Sequence, residues 1–209
     1  MRDLTAQLSA WLASGGREIG EIAIVPTATG ATLCHRADLG RDDLLVETRA
    51  EAARAIATHD DAGNFRPLKT APNLRRGWQL CLADHQALRV ALDYFYPAML
   101  GLWLSERRGE LVPIPLRETL GRQTGMYRVT QKLTDAQAQT LIGQACRSDG
   151  GCLKHILWSI SPALSIHTLP AEKLQVPPPG SSLPLLCQEA CNLLIAAART
   201  VVKKSESPA

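Results

Sequence analysis

Apolar residues recur along the chain with two different periods. Between residues 4 and 13, LTAQLSAWLA sets Leu4, Leu8, Trp11 and Leu12 along one side of a helix that Gly15 and Gly16 would end. The runs EIGEIAIV and ATLCH favour extended chain, and Pro26 and Gly30 between them fit a hairpin. Thr48 and Glu51 have capping-box spacing, which predicts a helix through EAARAIATH. The polar stretch DDAGNFRPLKTAPNLRRG reads as a long loop and WQLCLA as a third strand.

From Asp84 onward the period is mostly helical. DHQALRVALDYFYPAMLGLWLSERRG spaces Leu88, Leu92, Phe95, Met99, Leu102 and Trp103 as one helical face, and Pro97 is expected to kink or divide it. Thr134 and Gln137 form a second capping-box pattern, opening a helix that delivers Cys146 at its end. Residues 161 to 184 hold six prolines and little periodicity, so they predict an irregular connector that wraps rather than packs. CQEACNLLIAAARTVV resumes a helix. The fold class expected is α+β, with a small sheet-plus-helix unit over residues 1–83 and a mostly α-helical domain over residues 84–209.

With 209 residues, 45% of them hydrophobic, the chain can bury a real core without covalent staples. Its net charge of +3 is the small difference between 23 basic and 20 acidic side chains, too balanced to imply a nucleic-acid or membrane surface. Asp3 and Gln7 interrupt the region a signal peptide would need, and no apolar run is long enough to span a bilayer. The expected location is therefore cytoplasmic. Thiols stay reduced there, so six cysteines point to metal rather than to three disulfides.

Four of these cysteines fall into two close pairs, Cys146-x5-Cys152 and Cys187-x3-Cys191, with 34 residues between the pairs. An x3 gap on a helix puts two thiolates on one face, roughly 5 to 6 Å apart at the β-carbons, which suits neighbouring corners of a cubane cluster. The x5 pair spans Gly150-Gly151, a turn able to aim backbone amides at cluster sulfides. Closing the intervening loop costs about 3 kcal/mol, whereas a four-cysteine metal site contributes on the order of 10 kcal/mol. A 4Fe-4S cluster, a structural zinc ion and buried inert thiols all remain open on spacing alone, although zinc pairs usually lie two to four residues apart. Cys34 and Cys81 sit in strand-like segments among apolar neighbours, where cysteine acts as a small hydrophobe.

The segments LKTAPNLRRGW, PLRETLGRQTGMYRVT, SDGGCLKHILW and CQEACN resemble the 4Fe-4S cluster-binding domain found joined to CbiX-type sirohydrochlorin chelatases, together with the N-terminal stabilising domain that accompanies it. The resemblance runs over most of the chain and implies that Cys146, Cys152, Cys187 and Cys191 bind the cluster. The doubly wound chelatase half of such fusions has no counterpart in this sequence. What the resemblance implies is thus an accessory or redox protein of tetrapyrrole (sirohaem or cobalamin) biosynthesis, working beside a separate chelatase subunit. The cysteine order alone is also similar to the ligand arrangement of sirohaem-dependent sulfite and nitrite reductases, where the last cysteine bridges to the sirohaem iron.

Lys69, Arg75, Arg76, Arg117, Arg122, Arg128 and Lys132 offer a local basic set. Arginine binds carboxylates in bidentate fashion, so Arg75, Arg76, Arg122 and Arg128 are candidates for holding an anionic ligand such as a sirohydrochlorin-type tetrapyrrole. Nucleic acid would need aromatic stacking beside these arginines, and an aromatic content of 4% offers little beyond Trp78 and Tyr127. No nucleophile elbow, His-x-x-x-His or phosphate-cradling glycine loop supports hydrolytic chemistry. The rival to a redox accessory is a four-cysteine zinc or iron–sulfur interaction module with no redox role.

Overall fold

The computed structural model describes residues 3–111, 114–115, 132–146, 152–159, 180–187 and 191–206. In chain order the first elements are α1 (Leu4–Ala13), β1 (Glu18–Ile19), β2 (Ile22–Pro26), β3 (Ala31–His35), β4 (Leu45–Glu47), α2 (Ala52–Ile56), β5 (Trp78–Leu82), α3 (His85–Phe95) and α4 (Met99–Arg107). They are followed by β6 (Ile114–Pro115), α5 (Asp135–Ala145), β7 (His155–Ile156), β8 (Trp158–Ser159), β9 (Ser182–Leu183), β10 (Leu186–Cys187) and α6 (Asn192–Glu206). Sheet and helix are both present, as an α+β chain requires, and they group into two units: residues 1–108 with 177–185, and residues 109–176 with 186–209.

In the N-terminal unit, α1 has the predicted bounds, with the Asp3 side chain accepting the Ala6 N–H as its cap. EIGEIAIV does not form one strand. Gly20 adopts φ +57° and reverses the chain, so β1 and β2 become antiparallel neighbours. The hairpin β2–β3 is antiparallel from Ile22↔His35 to Pro26↔Ala31, and β3 pairs antiparallel with β5. The sheet order is β4-β5-β3-β2-β1-β9, with parallel pairings at both outer positions.

Two of these strands escaped the sequence reading. In β4 all three residues are exposed, so no alternation marks it. β9 comes from the proline-rich connector, which therefore packs at this point instead of only wrapping; Trp11 Nε1 donates to Gly180 O, and Arg17 and Glu18 donate their amides to Ser181 O. The capping box at Thr48 does not form either. Glu51 takes the cap position without a side-chain bond, because turn bonds from Ala52 to Arg49 and from Ala53 to Ala50 already hold the first amides.

The chain beyond residue 83 belongs with the sheet, so this unit runs to Arg108. The reason is packing. α3 buries Leu88, Ala91, Leu92 and Phe95, lies against α1, α2 and β5, and stacks Phe95 on Trp78 with ring centroids 5.0 Å apart. Pro97 divides the helix as expected, with Ala98 at φ +61° between α3 and α4. Trp103 of α4 then meets Trp11 edge to face at 6.2 Å.

In the C-terminal unit the Thr134 capping box is made in full: Gln137 N–H donates to Thr134 Oγ1 at 3.2 Å and Thr134 N–H to Gln137 Oε1 at 2.9 Å. α5 packs on α6. Gln137 Nε2 donates to Ser205 Oγ and Lys132 pairs with Glu206, so the start of α5 meets the end of α6 and the helices run antiparallel. Leu133, Ala138, Leu141, Ile142, Ile156, Leu194, Ile195, Ala198 and Val202 form the buried cluster between them. β10 pairs parallel with β7, and β6 with β8.

Candidate metal centre

The antiparallel helix pair decides where two cysteines fall. Cys146 closes α5, its N–H donating to Ile142 O at 2.9 Å, and Cys191 immediately precedes α6, so both lie at the end of the pair opposite Lys132 and Glu206. Cys187 reaches the same buried cluster from β10: it is in register with Ile156 of β7, and its carbonyl accepts the Leu157 N–H at 2.9 Å. Cys146, Cys187 and Cys191 are all half-buried against that cluster. Cys152, also half-buried, enters β7 three residues before His155.

One expectation is corrected here. Cys187 and Cys191 do not share a helix face, because Leu186 and Cys187 are extended and paired with β7, and the helix starts only at Asn192. Cys191 instead occupies a cap-like position: its carbonyl accepts the Ile195 N–H at 3.0 Å, and the Leu194 N–H points at its Sγ, 3.5 Å away. A serine or aspartate at the head of a helix uses its side chain in this way. The signal was present in the sequence as a cysteine directly before NLLIAAA, and the assumption of one continuous helix hid it.

The donor set fits an iron–sulfur cluster. All six cysteines are thiols, and the four in question combine partial burial with a backbone amide aimed at one sulfur. Among the described residues, no three Cys, His, Asp or Glu side chains stand close enough to hold a single metal ion. His155 lies on β7; His167 and the Gly150-Gly151 turn fall outside the described residues.

Cys34 and Cys81 belong to the sheet of the other unit. Cys34 is buried, and burial, reinforced by the Asp38 carboxylate, pushes its thiol up, which disfavours the thiolate that ligation requires. Cys81 is half-buried and accepts a weak bond from Gln79 Nε2.

Arg75 and Arg76 sit in the loop before β5, in surroundings that are not uniformly basic. Arg75 lines a cavity of about 350 Å³ with His59, Asp60, Asp61 and Gly63. Arg76 lines a neighbouring one of about 300 Å³ and is engaged by Asp61, which accepts its N–H at 2.6 Å and faces its Nε at 3.6 Å. Lys69 is turned inward, with Nζ donating to Tyr94 O; burial first, then the Arg54 and Arg66 charges, lower its pKa. Trp78 is buried against Phe95 and offers no stacking face. Arg117, Arg122, Tyr127 and Arg128 lie outside the described residues.

Comparison with known proteins agrees with this division. Residues 5–107 match the family model of the DR2241 stabilising domain, and residues 108–200 match that of a 4Fe-4S iron-sulfur cluster binding domain. No curated protein matches the chain. Among solved structures, DR2241 from Deinococcus radiodurans, a multi-domain protein with structural similarity to chelatases and two additional novel domains, superposes with a TM-score of 0.76 at 30% identity. The match covers 97% of this chain and 42% of that protein, so the chain spans less than half of its relative. The chain is accordingly similar, through residues 5–107, to the DR2241 stabilising-domain family and, through residues 108–200, to the 4Fe-4S iron-sulfur cluster binding domain family.

Proposed function

We propose that this protein is a cytoplasmic redox or accessory partner of a tetrapyrrole metallochelatase, and that Cys146, Cys152, Cys187 and Cys191 hold its 4Fe-4S cluster. The observation that carries the ligand set is the meeting of both cysteine pairs at one unit: Cys146, Cys187 and Cys191 line a single apolar cluster, and Cys152 leads into the strand paired with Cys187. When bound, the cluster supplies one-electron chemistry. The protein's own contribution is to keep the thiolates partly out of water and to direct the Leu194 N–H at Cys191 Sγ. A donor on a ligand sulfur favours the more electron-rich, reduced state, so this contact raises the reduction potential.

The tetrapyrrole link rests on the relative's structural similarity to chelatases. Capture of a sirohydrochlorin-type ligand falls to Arg75 and Arg76, with Arg122 and Arg128 as further candidates, and is opposed locally by Asp60 and Asp61. A separate chelatase subunit is the proposed protein partner. No helix among the described residues is long and apolar enough to cross a membrane.

Anaerobic potentiometric titration followed by electron paramagnetic resonance tests the redox role: a reversible one-electron signal supports it, and a cluster silent over the whole accessible range leaves a structural module. Titration with sirohydrochlorin tests the tetrapyrrole role. Binding that weakens about tenfold or more when Arg75 and Arg76 are both replaced by alanine, the loss of two charge-assisted contacts, is the expected result. Unchanged affinity removes these arginines from the site.

A further inference from the structure

Among the described residues the six-stranded sheet ends in β4, a strand exposed along its whole length, with Leu45 59% and Val46 56% accessible. Two large apolar side chains side by side on an open sheet edge form a template for pairing with another strand. Leu45 donates its N–H to Gly77 O, inward towards β5. Amide and carbonyl directions alternate along a strand, so Val46, between Leu45 and Glu47, turns its own N–H and C=O to the open edge, and continued extension would do the same for Leu44 and Thr48.

We propose that two copies of this chain associate by pairing β4 with β4 in antiparallel fashion across a two-fold axis centred on Val46. The sequence around the strand, Asp43-Leu44-Leu45-Val46-Glu47-Thr48-Arg49, is complementary to itself in this register. Val46 bonds Val46 of the second copy through both outward backbone groups, Leu44 bonds Thr48, and Asp43 lies opposite Arg49 at each end. Val46 packs on its symmetry mate on one face, and the two Leu45 side chains meet diagonally on the other. A two-fold interface uses each such contact twice. Asp43 is held by Arg41 at 2.7 Å and Arg49 by Glu51 at 3.6 Å, but all four side chains are exposed and such pairs exchange readily.

A single pair of short strands buries little area, so the dimer is weak and depends on concentration. Sedimentation equilibrium of the full chain from about 5 to 500 μM should show reversible dimerisation. Val46→Pro removes the outward donor while leaving the Leu45 and Glu47 amides for β5, and is expected to yield monomer with an unchanged circular dichroism spectrum. Should that variant misfold, charge exchange decides: Asp43→Arg and Arg49→Asp chains should each be monomeric, and an equal mixture should recover the dimer. A chain monomeric throughout, a dimer indifferent to these substitutions, or a mixture that fails to recover would overturn the pairing.

Discussion

Gly20 shows how one residue fixes a junction. At φ +57° it turns β1 into β2, and a β-carbon placed on it would stand 2.5 Å from the Tyr96 hydroxyl and 2.7 Å from the ring. Tyr96 is 2% exposed and its oxygen accepts the Glu21 N–H, so the ring has nowhere to move. Gly20→Ala should therefore cost more than the ~1 kcal/mol of the backbone preference alone, read as a lower midpoint in urea unfolding. The Glu21 carboxylate completes the junction by accepting the Leu74 N–H at 2.9 Å and facing His35 Nε2 at 3.5 Å.

Tyr96 also predicts a pH dependence. Burial pushes its hydroxyl well above the usual tyrosine range, so the folded chain keeps it neutral where the unfolded chain ionises. A raised folded value contributes stability that is full below about pH 10 and is lost as pH rises beyond it. Between pH 9 and 11 the wild type should lose more stability than Tyr96→Phe, which near neutral pH is weaker by the lost Glu21 contact, about 1 to 3 kcal/mol, so the gap between the two narrows as pH rises. Equal slopes for the two proteins would show that Tyr96 ionises freely.

At the scale of elements, legibility followed locality. α1, the division at Pro97 and the Thr134 capping box were all readable because their signals lie within a few residues of each other. β4, β7, β9 and β10 have two or three residues each and exist only through partners far along the chain, which no periodicity marks. Thr48 failed for the opposite reason: a good local pattern yielded to turn bonds already satisfying the same amides. The capping box at α5 has a consequence for the candidate site, because this helix ends on Cys146. Thr134→Ala should cost about 1 kcal/mol and should hasten cluster loss on exposure to a chelator, measured as the decay of visible absorption. A decay rate equal to wild type would uncouple the cap from the site.

For the molecule as a whole, the α+β class and the 4Fe-4S domain were legible in the sequence, but not how the pieces group. The periodicity of residues 84–108 is helical, and helical periodicity says nothing about whether the apolar face rests on a sheet or on other helices; Trp78 and Phe95 settle it in favour of the sheet. The cysteine pairs stand out in the sequence by their spacing, yet their geometry does not, since Cys187 takes its position from a strand pairing with Ile156. Likewise Arg75 and Arg76 read as basic residues until the fold set Asp60 and Asp61 beside them.

The decisive proposal is that Cys146, Cys152, Cys187 and Cys191 are the thiols that hold metal. Iron, sulfide and zinc should be quantified per chain after anaerobic purification of the wild type and of six variants, each with one cysteine replaced by serine. About four irons and four sulfides are expected in the wild type, unchanged in Cys34→Ser and Cys81→Ser and diminished in the Cys146, Cys152, Cys187 and Cys191 variants. One zinc without sulfide, or a cluster that needs Cys34 or Cys81, would contradict it.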